Sequence, residues 1–336
     1  MKANIKTISE ITGFSPATIS NALNRKKGVS RETAGKILEA AEGIGYSVDE
    51  RSAKIRFVTY RKNGMIFDEN PFFAELIQGA EAQAREYGYE TAFICLNCES
   101  PEFAGQLAAV LEDVSSFLVL LGTEMMEEDF LLFQDFKGDM VLLDCWSDEV
   151  PFDAVLINNT DSAYHAVRYL IGRGHKTIGY LKGDYRIKAF QYREYGYCRA
   201  LKEAGLEEAP EYEITLGTRF KTAYEGMKEY LENRVTGLPD AFFADNDIIA
   251  LGAVRALREM GYGIPEDVSV MGFDDVKFGA ISDPGLTTVH VFKEEMAKIA
   301  VRRVMDKAGH PGDRIRTKIQ VETRFEERES VADKRG

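Results

Sequence analysis

Apolar residues recur at helical spacing over the first forty-odd positions, then give way beyond position 55 to short continuous runs separated by amphipathic stretches. Ile5, Ile8 and Ile11 predict one face of a first helix, with Asn4 placed to cap it. A turn at Thr12-Gly13-Phe14 follows. Ser15 and Pro16 then stand at the N-cap and first position of a second helix, which buries Ile19, Ala22 and Leu23 and ends at Asn24. After a basic loop at 25–28, Ser30 caps a third helix with the apolar stripe Ala34, Ile37, Leu38, Ala41 and Ile44, stopped by Gly45. Three helices of this length predict one small core.

The apolar runs at 55–60, 90–95, 116–121, 140–144, 154–157, 177–181, 241–244 and 268–273 read as buried strands. Helical patterns near 73–87, 161–173, 191–204, 219–233, 247–260 and 293–308 fill the intervals. Strand, crossover helix and strand in repetition predict an α/β fold with doubly wound parallel sheets, and so many strands suggest two of them. Ligands in such sheets collect beyond the carboxyl ends of the strands. No repeat of solenoid length and no low-complexity tract interrupts the pattern.

A chain of 336 residues has room for two or three such units. Neither a secretory apolar core nor a membrane-spanning run occurs, so a cytoplasmic protein with no membrane association is expected. Cys95, Cys98, Cys145 and Cys198 show no disulfide ladder, and reduced thiols are expected. The net charge of −13 argues against nucleic acid until its distribution is considered. Within residues 1–36, Lys2, Lys6, Arg25, Lys26, Lys27, Arg31 and Lys36 face only Glu10 and Glu32, a local excess of five positive charges.

Helix, tight turn and second helix over 4–24 make a helix-turn-helix, whose second helix enters the major groove. Its outward positions are Pro16, Ala17, Ser20 and Asn21. Asn21 can pair with an adenine edge, and Ala17 can pack on a thymine methyl. Thr18 and Ser20 suit phosphate, as do Lys26, Lys27 and Arg31. The candidate DNA-contacting set is Ser15, Pro16, Ala17, Thr18, Ser20, Asn21, Asn24, Lys26, Lys27, Ser30 and Arg31. A plain three-helix cap with a solvated basic face is the alternative, and the agreement of caps, turn and charge weighs against it.

The run Ile5-Lys6-Thr7-Ile8-Ser9-Glu10-Ile11-Thr12-Gly13-Phe14-Ser15, then Thr18 to Asn24, Val29-Ser30-Arg31-Glu32-Thr33 and Gly45-Tyr46, resembles the LacI/GalR family of bacterial regulators. Asn70-Pro71-Phe72-Phe73, Gly174-His175, Arg193 with Gly196-Tyr197, Ala244-Asp245-Asn246-Asp247, Gly272-Phe273-Asp274-Asp275 and Pro284-Gly285-Leu286-Thr287-Thr288-Val289 extend the likeness over nearly the whole chain. The resemblance implies a three-helix DNA reader at 1–46 and a hinge at 47–54. It also implies a two-lobed periplasmic-binding-protein-like (type I) sensor, one lobe from 55–157 and 291–320, the other from 158–290 and 321–330. Two departures stand out. Asn21 replaces the usual basic residue after the Thr-Ile-Ser run, and Pro16-Ala17 form the readout pair, so no operator sequence can be carried over. The hinge is about half the usual length and lacks the leucine that wedges into the minor groove, so no leucine kink is expected.

The same resemblance implies a small-molecule effector, a sugar or related metabolite, and a homodimer on double-stranded palindromic operator DNA. Arg193, Asn246 and Asp274 would grip hydroxyls, Phe73 and Phe220 would stack on the ring, and Asp144 and Thr123 would line the opposite lobe. Trp146 is a further stacking candidate. Each has a plainer alternative: Arg193 as a surface ion-pair partner, the phenylalanines as ordinary core, Asp247 as a helix N-cap. The stretch 61–69 is about six residues longer than the family's spacing; it reads either as a cover over the pocket mouth or as a simple loop, and the loop is preferred because surface insertions are tolerated. Cys95-Leu96-Asn97-Cys98 has no second pair, and the four histidines have no ligand spacing, so no metal is expected. No dinucleotide fingerprint, Walker motif or nucleophile elbow is present, so neither a cofactor nor catalysis is expected. The competing function is a solute-binding protein or an α/β enzyme with an unrelated helical cap. The first would need an export signal and the second a convergent acid, base or nucleophile.

Overall fold

The computed structural model describes residues 5–23, 29–44, 54–68, 70–114, 116–309 and 315–335. The N-terminal helices are α1 (Ile5–Thr12), α2 (Pro16–Leu23) and α3 (Arg31–Gly43). Both predicted caps form: Ser15 Oγ accepts the Thr18 N–H at 3.1 Å, and Ser30 Oγ accepts the Thr33 N–H at 3.1 Å. Gly13, at φ +73°, turns the chain between α1 and α2 in a conformation that a Cβ disfavours. Ile8, Ile19, Ala22, Leu23, Ile37 and Ala41 form a core of their own, shared, among the described residues, with none beyond position 53. Two predicted members stand outside it, Ile11 at 55% and Leu38 at 41% exposure. Each three-residue step from Ile5 drifts by about 60° around the helix, which carries Ile11 off the buried face, and Leu38 lies about 100° from the buried Ile37.

Beyond the helices, β1 (Lys54–Arg61), β2 (Glu90–Asn97), β3 (Phe117–Leu121), β4 (Met140–Leu143), β5 (Asp153–Ile157) and β11 (Lys318–Val321) form one parallel sheet. The order is β11-β5-β4-β3-β1-β2. β3 to β5 are buried along most of their length because helices cover both faces, which is why their sequences run apolar rather than alternate. A second parallel sheet orders β7 (Glu213–Leu216), β6 (Ile178–Gly183), β8 (Ala241–Ala244) and β9 (Ser269–Met271). An antiparallel ribbon, β10 (Thr288–His290) with β12 (Arg324–Glu326), bridges to the β9 edge through Met271–Thr287 and Asp274–His290.

Helices α4 (Phe72–Glu86), α5 (Phe103–Glu112) and α11 (Lys293–Gly309) accompany the first sheet. The second has α6 (Asn159–Gly172), α7 (Lys188–Ala204), α8 (Phe220–Asn233), α9 (Asp247–Glu259) and the short α10 (Lys277–Ile281). The buried Asp153 carboxylate at the head of β5 accepts from Arg303 and Lys307 of α11 and from Thr317 before β11, tying the returning chain to the first sheet. Among the described residues no helix is long and apolar enough to cross a membrane. The strand order reverses between β1 and β3 in the first sheet and between β6 and β8 in the second. Those two crevices are where a ligand should lie.

Candidate functional site

Side chains from both crevices converge on Arg193, which lies on α7 and is 3% exposed. Its guanidinium reaches three ways: Nε donates to Asn159 Oδ1 at 2.9 Å, one terminal nitrogen donates to the Asp245 carbonyl at 2.6 Å, and the other lies 3.1 Å from Asp274 Oδ1. Its planar face lies 3.7 Å from the centre of the Phe273 ring. A planar cation with donors at fixed angles can join the chain crossing after β5 to the ends of β8 and β9 in this way, and a lysine could not. Arg193 is thus no surface ion-pair partner.

Across the cleft, Asp144 follows β4 and accepts a 2.7 Å hydrogen bond from Thr123 Oγ1, which follows β3. Burial pushes the Asp144 carboxyl up to about 7, further raised by Asp274 and opposed by Thr123 and Arg193. Asp274 is raised as well, by burial first, against the pull of Arg193 and Lys293. Its Oδ1 is buried, lies 3.1 Å from the Arg193 guanidinium and has no well-aligned hydrogen-bond donor among the described residues. Lys293, 1% exposed, supports the same turn by donating to the carbonyls of Asp274 at 2.6 Å and Asp275 at 3.3 Å. Among the described residues, the positive-φ positions other than glycine are Asp144, Asp274 and Asp275, at 56°, 112° and 54°. Backbone strain of this kind gathers at ligand clamps, and aspartate tolerates it better than most residues.

Thr123, Asp144, Arg193 and Asp274 are therefore brought together. The other effector candidates make contacts of their own. Asn246 is the N-cap of α9, its Oδ1 accepting the Ile249 N–H at 3.0 Å, so the capping role expected of Asp247 belongs to its neighbour. Asp247 instead holds Thr288 Oγ1 at 2.6 Å and the Val276 N–H at 2.8 Å. Phe73 is 7% exposed and packed against Phe67, with ring centres 4.1 Å apart. Phe220 lines a separate apolar cavity of about 620 Å³ with Ile248, Leu251, Val254 and Phe278. Trp146 lines a cavity of about 350 Å³ between the lobes, edge-on to Tyr192 at 4.8 Å. The sequence reading missed Asn159, Phe273 and Lys293 as partners of this cluster. Asn158-Asn159 directly after an apolar strand was the available signal for the first.

At α2 and its cap, where DNA contacts are expected, Ser15, Pro16 and Ala17 are exposed and Thr18, Ser20 and Asn21 half-buried, while Ile19 and Ala22 face the core. Ser30 is exposed beyond its capping bond. Asn4, Asn24, Lys26, Lys27 and residues 47–53, where the hinge is expected, lie outside the described residues, as does the Arg31 side chain. Among the described residues the histidines, scattered in sequence, yield one cluster in space: ligand atoms of Asp275, His290 and Glu326 come within 4.8 Å of one another. Arg328 on Asp275 and Arg324 on Glu326 make it an ion-pair group.

The buried carboxyls have a measurable consequence. Burial raises Asp144 to about 7 and Asp247 to about 8. A raised folded-state value contributes stability that is complete below the ordinary carboxylate range and is lost as pH rises through the folded value. His175, held down by burial, has made its full contribution above its own ordinary range. The unfolding temperature should therefore fall by about 3 °C or more between pH 6.5 and 8.5, and Asp247→Asn should flatten that slope. Calorimetry finding a flat or rising profile for the native chain would contradict the assignment.

Comparison with known proteins follows the same outline. Residues 167–331 match the periplasmic binding protein-like domain family. The chain is 30% identical over 335 residues to the HTH-type transcriptional repressor PurR of Mannheimia succiniciproducens, covering 98% of each chain. It is 28% identical over 336 residues to the repressor of that name from Photorhabdus laumondii, with 98% and 97% covered. Among solved structures, a transcriptional regulator CelR–cellobiose complex superposes with a TM-score of 0.74 at 24% identity, over 97% of this chain and 99% of that one. The lac repressor dimer bound to operator and an anti-inducer gives 0.72 at 18% identity, over 98% and 99%.

Proposed function

Because the chain belongs to the LacI/GalR family of transcriptional regulators, and is a regulator rather than an enzyme, we propose that it acts as a cytoplasmic homodimeric repressor. In this reading residues 1–46 read a palindromic operator, 47–54 form the hinge, and the cleft around Arg193 takes a sugar or related small metabolite. The observation that carries the effector half is Asp274 Oδ1, buried with no well-aligned hydrogen-bond donor among the described residues and only the Arg193 guanidinium near it. A buried acceptor left open in a cleft calls for a donor from outside, and a hydroxyl supplies one. Thr123 and Asp144 stand ready on the facing lobe, and the CelR complex holds cellobiose by its name.

Two heads are needed because one three-helix unit reads too few base pairs for specificity. The apolar surface beside α9 and α10, with Phe278 57% and Ile281 80% exposed, supports pairing with a second copy. By linkage, effector and operator then alter each other's affinity by one common factor.

Asn21 is the side chain in α2 best suited to read a base edge. Asn21→Ala should weaken binding to DNA from the chain's own upstream region by about 1–3 kcal/mol at fixed salt. Fluorescence anisotropy checks it, and unchanged affinity would remove Asn21 from the readout.

A further inference from the structure

Glu124 follows β3, on one side of the first sheet's crevice, and is fully buried. Its carboxylate is enclosed by the backbone of 62–67, the segment that follows β1 on the other side. Oε2 accepts the N–H groups of Lys62 at 2.9 Å, Asn63 at 3.1 Å and Gly64 at 3.0 Å. Oε1 accepts those of Ile66 at 2.8 Å and Phe67 at 3.2 Å. Successive N–H groups turned inward make an anion nest, here filled by the protein's own side chain. Gly64, at φ +72°, supplies the left-handed turn that points them inward. A surface loop hydrogen-bonded to water would need no such carboxylate, so the expectation of a simple loop at 61–69 does not describe this segment.

From that seat the segment reaches the second lobe. Thr218 Oγ1 donates to the Met65 carbonyl at 2.9 Å, and Arg219 pairs with Asp68 at 2.9 Å while approaching the Gly64 carbonyl at 3.5 Å. Tyr185, also of the second lobe, donates to the Glu124 carbonyl at 3.4 Å. Arg61 closes the base of the segment on Asp68 at 2.9 Å, and Lys62 anchors it to Glu128 and Asp129, each at 2.8 Å. The segment is thus fastened to the first lobe by Glu124 and to the second by Thr218 and Arg219.

We propose that residues 62–68, seated on Glu124, are a latch that holds the two lobes together in the absence of any effector. A protein already closed gives up less free energy to conformational change when its ligand arrives, so the latch raises apparent affinity for whatever the closed cleft accepts. It also narrows the range of movement that a ligand can impose on the DNA-reading heads.

The test needs neither effector nor DNA, so its failure is separable from failure of the repressor reading. Trp146, the only tryptophan, is 7% exposed and packed against Tyr192 and Lys188 of the second lobe, so its fluorescence reports separation of the lobes. In the full-length chain, Thr218→Ala with Arg219→Ala severs the latch on the second lobe and leaves the Glu124 nest intact. Acrylamide quenching of Trp146 should rise about twofold or more in that variant, with circular dichroism showing it folded. Glu124→Gln should do the same by replacing one acceptor oxygen with a donor. If Glu124→Gln fails to fold, the double variant decides alone, because Arg219 is about a third exposed and Thr218→Ala, though at a buried position, removes only a hydroxyl and a methyl. Quenching unchanged from the native chain in the folded double variant would overturn the latch.

Discussion

Arg193→Ala should destabilise the chain by about 3–5 kcal/mol and abolish effector binding, since it strips the partner from a buried charge rather than removing a balanced pair. Asp274 would keep its place at the end of β9, already raised by burial, with only the more distant Lys293 ammonium opposing. The Asp245 carbonyl and the Asn159 amide oxygen would each lose a donor inside the protein. The Phe273 ring would lose the guanidinium stacked on its face. Arg193→Lys should recover less than half of the loss, because an ammonium cannot meet three partners in a plane. Urea unfolding of the two variants beside the native chain measures both statements. A cost below about 1 kcal/mol for Arg193→Ala would mean that the cluster is no more than a surface ion pair.

The fold places this cluster where its consequences spread furthest. The chain passes between the lobes after β5, after β10 and between β11 and β12: Asn159 follows the first passage, Lys293 begins α11 after the second, and Asp274 and Asp275 hold His290 of the ribbon that carries the third. A ligand hydroxyl donating to Asp274 Oδ1 would touch the group that organises all three.

Much of this was legible in the sequence where local chemistry decides structure. Ser15-Pro16 and Ser30 specify helix starts through bonds spanning three residues, and both caps form as read. The buried parallel strands were legible because being covered on both faces forces uninterrupted apolar runs. The short strands β7, β10, β11 and β12 were not. They run three or four residues each, lie at sheet edges or in the ribbon, are mixed in polarity and, except at β10, are half-exposed. Site residues divided in the same way. Arg193 and Asp274, named through the family resemblance, lie in one buried cluster, whereas Phe220 faces a different cavity because the direction of a helix's first side chain depends on how the helix packs. The nest around Glu124 was invisible, since its donors are backbone groups and any residue offers those. Only the unusual length of 61–69 hinted at it.

The three-helix unit and the sensor have separate cores, so each can be questioned without dismantling the other. Removing residues 1–53 takes away every candidate DNA contact and leaves β1 and all that follows. The local excess of positive charge goes with them, and what remains is strongly acidic and should be repelled by phosphate. The most direct measurement is fluorescence anisotropy of labelled DNA from the chain's own upstream region, titrated at several salt concentrations with the full chain and with residues 54–336. The full chain is expected to bind with an affinity that falls steeply with salt, and the shortened chain, still folded, to lose binding altogether. Equal affinity of the two would contradict the assignment of DNA reading to the N-terminal helices, and with it the repressor.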